Sequence, residues 1–244
     1  MKNDYIGVID SGIGGLTVLK RLVDNFPNEN FVYFGDNENL PYGNKTDREL
    51  SGLLFNAVFS LSINFKIRFI VVGCNTLSMT VLNKVKPYFD FPIYGVYPPL
   101  FLDDKKTILL STERTGREYE KYNLNLAINK LPNLASKIEQ NIFNLSNIDL
   151  EILLPYKKRS FDRVILGCTH YDFIKNEILD HLKPQEIFSS QDFAVNTIKK
   201  IYQNKKSIVK TYRNSVLFFG KYAKFNQKVW NLVVKDVKLY DKKQ

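Results

Sequence analysis

Ile70-Val71-Val72-Gly73-Cys74-Asn75-Thr76 returns in altered form as Val164-Ile165-Leu166-Gly167-Cys168-Thr169-His170, and both cysteines of the chain lie in this repeat. Each copy is a short β-branched, apolar run followed by Gly-Cys, two polar residues and an amphipathic segment, 78–86 after the first and 172–182 after the second. That pattern reads as a strand running into a helix with the thiol at the turn. Ligands of open α/β sheets sit outside the carboxyl ends of strands, so two such turns can bring two thiols to one cleft. A site with two similar halves is expected.

Working outward, residues 5–9 read as a first strand, and Asp10-Ser11-Gly12-Ile13-Gly14-Gly15 as a glycine-rich turn into a helix at 16–25. Such a turn exposes N–H groups at a helix N-terminus and favours an anion. It matches neither GxGxxG nor a Walker A loop, which argues against a nucleotide. Asp10 at the strand end can cap that helix, or take and relay a thiol proton. A strand at 31–35 leads to the turn-rich 36–43, which contains Pro41-Tyr42-Gly43, and 45–65 reads as a long helix. Beyond the Cys74 unit come a strand at 93–96, the Pro98-Pro99 break as a domain crossover, and a strand at 107–110. Further on, 118–131 looks helical, 137–143 strand-like, and 147–154 a short apolar-acidic stretch before the Lys157-Lys158-Arg159 turn. Strands at 186–188 and 215–219 and helices at 192–202 and 224–234 complete the pattern. Strands and helices alternate throughout, the mark of an α/β fold with mostly parallel sheets.

A chain of 244 residues, 44% hydrophobic, buries an ample core as one large α/β domain or two small ones. Met1 to Asp4 leads into the first strand with no apolar leader segment, so a cytoplasmic protein is expected, with reduced thiols and no structural disulfide. No CxxC or Cys/His cluster has metal-ligand spacing. The net charge of +10 invites a nucleic-acid reading. Its lysines, however, come as scattered pairs without an Arg-rich stripe or aromatic motif, which predicts weak, salt-sensitive DNA binding and no base readout.

Four motifs, Asp10-Ser11-Gly12-Ile13-Gly14-Gly15, Pro41-Tyr42-Gly43, Cys74-Asn75-Thr76 with Ser78, and Gly167-Cys168-Thr169-His170-Tyr171, resemble in content and order the signature motifs of bacterial glutamate racemase. The resemblance implies two pseudo-symmetric α/β domains with the active site between them. It also implies no metal or pyridoxal cofactor, and interconversion of L- and D-glutamate for peptidoglycan. By motif, Cys74 and Cys168 are the acid/base thiols, with Asp10 and His170 assisting. Ser11, Pro41, Tyr42, Gly43, Asn75, Thr76, Thr169 and His170 hold the substrate, and Thr112 and Thr115 match a further Thr-x-x-Thr segment. The implied domains are 1–97 plus 211–244, and 98–210, with the chain returning to the first from about Tyr212. The expected partners are the small-molecule substrate and a second copy in a homodimer, with no membrane.

The chain departs from the family at Pro98, where an acid is usual, and at Ser111, where glycine is usual. The acid that accompanies His170 is not located, with Asp149 or Glu151 as stand-ins. Two other readings stay open: a racemase for aspartate or another acidic amino acid, and a regulatory or nucleic-acid-associated protein that keeps the fold.

Overall fold

A computed structural model describes residues 4–157, 159–203 and 215–240. The first sheet is built from β1 (Tyr5–Asp10), β2 (Asn30–Gly35), β3 (Ile67–Val72), β4 (Ile93–Gly95) and, from the far end of the chain, β9 (Val216–Phe219). The second holds β5 (Thr107–Ser111), β6 (Ala127–Lys130), β7 (Arg163–Gly167) and β8 (Glu186–Ser189). Every pairing is parallel. The strand orders are β4-β3-β1-β2-β9 and β6-β5-β7-β8. Read from the other edge, the second sheet is β8-β7-β5-β6, the same winding as β4-β3-β1-β2. The repeat of the two cysteine stretches is therefore a repeat of whole half-molecules.

Period-2 alternation divides each sheet between two cores. Ile6, Val8, Phe31, Tyr33, Phe69 and Val71 face α1 (Gly15–Asn25) and, later in the chain, α9 (Ser190–Gln203) and α10 (Ala223–Tyr240). Ile9, Val32, Ile70 and Val72 face the opposite side, covered by α2 (Asp47–Asn64), α3 (Asn75–Thr80) and α4 (Leu82–Val85). In the second sheet Ile108, Leu110, Val164 and Leu166 pack under α6 (Leu134–Gln140) and α8 (Lys175–Leu182). Leu109 and Ile165 meet Tyr119 of α5 (Glu113–Glu120) on the other face, and α7 (Leu154–Lys157) lies beside α8. α9 buries Val195 and Ile198 against the first half and also packs on β7 and β8 of the second sheet.

Two expected elements are corrected. The 118–131 stretch is not a helix: α5 starts earlier, where Thr112 Oγ1 caps the Thr115 N–H at 3.3 Å, and ends at Glu120. Asn123 then turns the chain at φ 50°, a conformation asparagine tolerates, and 127–130 pairs as β6. The 137–143 stretch is not a strand, because Leu134, Ala135 and Ile138 fall on one face of a helix and are buried there. The segment after Cys74 is two short helices broken at Val81 rather than one, and a 3₁₀ turn, Thr169–Ile174, precedes α8. Lys158 and Tyr212 lie outside the described residues. No helix among the described residues is long and apolar enough to cross a membrane.

The core assignment is testable by urea denaturation. Leu166→Ala, at a wholly buried position of central strand β7, should lose about 2–5 kcal/mol. Leu217→Ala, on edge strand β9 and 39% exposed, should lose well under that.

Candidate active site

In each sheet the chain winds one way from its first strand and the other way from the strand that carries the cysteine. The crevice of an open sheet lies at that reversal. In the first sheet it falls between β1 and β3, whose ends deliver Asp10 and Cys74; in the second, between β5 and β7, whose ends deliver Thr112 and Cys168. The two crevices face each other across one cleft. The turn after β1 contributes Ser11, the 41–43 turn Pro41, Tyr42 and Gly43, and the turn after Cys74 contributes Asn75 and Thr76. From the second half come Thr112, Cys168, Thr169 and His170. Two predicted residues lie behind this lining. Asp10 is fully buried, and Thr115 sits beneath Thr112, their hydroxyls 3.1 Å apart. Leu40, Pro132 and Ala135 line the cleft without having been anticipated.

The cleft is nearly shut, with about 20 Å³ of room, scarcely more than one water occupies. Polar contacts across it are direct: Thr76 Oγ1 lies 3.0 Å from Thr112 Oγ1, and Thr169 Oγ1 donates to Asp10 Oδ2 at 3.2 Å. Asp47 at the start of α2 pairs with Arg114 of α5. Arg21 of α1 pairs with Asp172 at 3.2 Å and with Asp192.

Sequence reasoning missed the acid beside His170. It is Glu139 of α6, whose Oε2 lies 2.7 Å from His170 Nε2; Asp149 and Glu151 are exposed, and the Asp149 carboxylate accepts the Glu151 N–H instead. Glu139 Oε2 also accepts the Ile13 N–H at 3.0 Å, and Oε1 accepts from Asn37. The N-terminus of α1 thus receives an anion, as the glycine-rich turn suggests, but the anion is the protein's own carboxylate. Glycine is required by the close approach: a Cβ on Gly12 would meet Glu139 Oε2 at 2.5 Å, and one on Gly14 would meet His170 Nδ1 at 2.5 Å. The available signal was the helical spacing of Leu134, Ala135 and Ile138, which makes 134–140 a helix and places an acid one residue after its buried stripe.

The two thiols sit in unlike surroundings. Burial, with the Asp10 carboxylate next in weight, pushes Cys74 up to about 12, although the Leu77 N–H and Ser11 pull the other way. Cys168 Sγ lies 3.9 Å from His170 Nδ1. Burial works against a charged His170, but the Cys168 and Glu139 hydrogen bonds and charges outweigh it and raise the imidazole well above its usual range. Burial raises the Asp10 carboxyl, partly offset by His170 and the Gly12 N–H. Asn75 Nδ2 donates to Val96 O at 3.1 Å, leaving Oδ1 buried without a partner. Each half therefore places a titratable group near its thiol, Asp10 near Cys74 and His170 against Cys168.

No family model matches the chain. Individual relatives do: a glutamate racemase of Clostridium botulinum is 41% identical over 72% of this chain and 75% of its own length. One from Buchnera aphidicola is 33% identical over 89% and 90%. Among solved structures, a glutamate racemase isoform from Bacillus anthracis superposes with TM-score 0.80 at 28% identity, covering 96% of this chain and 95% of its own. A glutamate racemase of Francisella tularensis, solved in complex with D-glutamate, does so with TM-score 0.76 at 25% identity, covering 96% and 95%.

His170 titration checks the electrostatics. A histidine raised on folding stabilises the fold fully below its unfolded value of about 6.5, and that contribution fades as pH climbs through the raised folded value. Glu139→Gln should therefore lower the His170 midpoint followed by NMR and flatten the loss of stability above neutrality. An unchanged midpoint would contradict the assignment.

Proposed function

The chain belongs to the glutamate racemase family, an isomerase family, and from that premise we propose that Cys74 and Cys168 act as paired acid and base on opposite faces of the glutamate Cα. The carrying observation is that topologically equivalent strands deliver two free thiols to one cleft from opposite sides. Inversion needs a proton removed from one face and another delivered to the opposite face, and a single thiol reaches only one.

Working from D-glutamate, the Cys74 thiolate takes the α-proton, the Cα carries the electron pair, and the Cys168 thiol protonates the other face. From L-glutamate the roles exchange. The residue assignment rests on the family resemblance. Burial pushes Cys74 up to about 12, so the base form has to be made when substrate binds. Asp10, buried and raised, is the acceptor closest in kind for that proton. On the other side His170, raised by Cys168 and Glu139, returns a proton to Cys168 after delivery. The unpartnered Asn75 Oδ1 supplies an acceptor for the substrate ammonium, and the Thr76 and Thr112 hydroxyls donors for a carboxylate.

With about 20 Å³ available, glutamate enters only when the halves part, loosening the Thr76–Thr112 and Asp47–Arg114 contacts. Reclosure excludes water from the carbanion. Free thiols suit a reducing cytoplasm, and D-glutamate leaving the site serves peptidoglycan synthesis. The homodimer expected from the sequence belongs to this reading, as do the two domains at 1–97 plus 211–244 and 98–210.

Circular dichroism of D-glutamate and D-aspartate with pyridoxal-free protein tests the reading. The glutamate signal should decay and the aspartate signal persist. Cys74→Ala and Cys168→Ala should each abolish racemisation. Decay with aspartate alone would reject the substrate, and full activity in either variant the mechanism.

A further inference from the structure

We propose that Asn37 and Asn226 are positioning residues that orient Glu139 and, through it, the His170–Cys168 arm. The proposal rests on reading Cys168 and His170 as one acid/base unit. Asn37 follows β2 in the first half, and Asn226 lies in α10, far along the chain. Asn226 Nδ2 donates to Asn37 Oδ1 at 3.0 Å, and Asn37 Nδ2 donates to Glu139 Oε1. Glu139 Oε2 meets His170 Nε2 at 2.7 Å, and His170 Nδ1 faces Cys168. An unbroken series of contacts runs from the last helix to the thiol.

Polarity fixes the sense of this series. A carboxylate only accepts, so Asn37 must present its amino group to Glu139 and its carbonyl oxygen away from it. That oxygen needs a donor, which Asn226 supplies. Supplying it leaves Asn226 Oδ1 buried without a partner, on a residue with no exposed surface. An orphaned buried acceptor destabilises the fold, so an asparagine kept only for packing would be better replaced by an apolar side chain. Gly35 at the end of β2 keeps the space open: a Cβ there would meet Asn226 Nδ2 at 2.8 Å and Asn37 Oδ1 at 3.1 Å. The Glu139 carboxylate could rotate about its terminal torsion with the Ile13 and His170 contacts alone on Oε2. The Asn37 donor on Oε1 removes that freedom.

The test uses the full chain and its Asn37→Ala, Asn226→Ala and double variants. Enantiomers are equal in energy, so kcat/KM must fall equally in both directions, by about tenfold, within the roughly 10²-fold that a 1 Å misplacement costs. The primary isotope effect separates positioning from general damage. With α-deuterated L-glutamate, whose deuteron leaves to Cys168, the effect should rise. With α-deuterated D-glutamate, whose deuteron leaves to Cys74, it should fall. Because Asn226 acts through Asn37, the double variant should be no slower than Asn37→Ala. The His170 imidazole resonances should shift in both single variants, whether or not the protein turns over. Wild type without racemase activity, but with these shifts, would sink the assigned reaction and leave the positioning intact. Isotope effects that move together, additive losses, or unmoved His170 resonances would overturn the proposal. If Asn226→Ala fails to fold, Asn37→Ala at its half-buried loop position carries the same readouts.

Discussion

The Glu139 carboxylate touches both halves of the site at once. It comes from α6 over the second sheet, accepts the Ile13 N–H in the turn before α1, and holds His170 against Cys168. An almost buried carboxylate is unfavourable unless its lone pairs are filled. Here backbone, Asn37 and imidazole fill them, and the geometry that satisfies the charge is also the geometry that closes the cleft. The glycines of the first turn admit the partner half: at Gly12 and Gly14 any side chain would occupy the space of Glu139 or His170.

The halves share a winding but not a chemistry. Cys74 faces Ser11 and a buried Asp10, while Cys168 faces an imidazole backed by an acid. Both arms start from the reversal of strand order, where a loop leaves each of two neighbouring strands in opposite directions. Duplication places the two thiols opposite each other, which is the placement that the proposed inversion at Cα calls for, and each thiol has unlike titratable neighbours. Among the described residues no lysine appears in the cleft lining: Lys20, Lys121, Lys130 and Lys221 are engaged in ion pairs elsewhere, while Lys84 shares Asp47 with Arg114 at the seam between the halves.

The repeat at 70–76 and 164–170 was legible because buried parallel strands are continuous apolar runs and the turns after them carry chemistry. The expected lining residues from Ser11 to His170 came from the motif resemblance, not from periodicity. The 118–143 region was not legible, since Asn123, Asn125 and Asn133 around a short strand and a helix with only three buried residues give weak periodicity in either register. Glu139 was lost with it, and so were Asn37 and Asn226, whose partners lie 102 and 189 positions away. Contacts of that span follow from how the sheets face each other, which no local pattern records.

The opposed-thiol account is tested most directly by the origin of the proton in the first molecules of product. D-glutamate turned over in heavy water, sampled before reversal, should give L-glutamate carrying solvent deuterium at Cα while unreacted D-glutamate keeps its protium. Each thiol returns to the substrate only the hydrogen it took from it, and the opposite thiol, exchanged with solvent, supplies the product. L-glutamate that retains the original hydrogen, handed across by one group, would contradict the account.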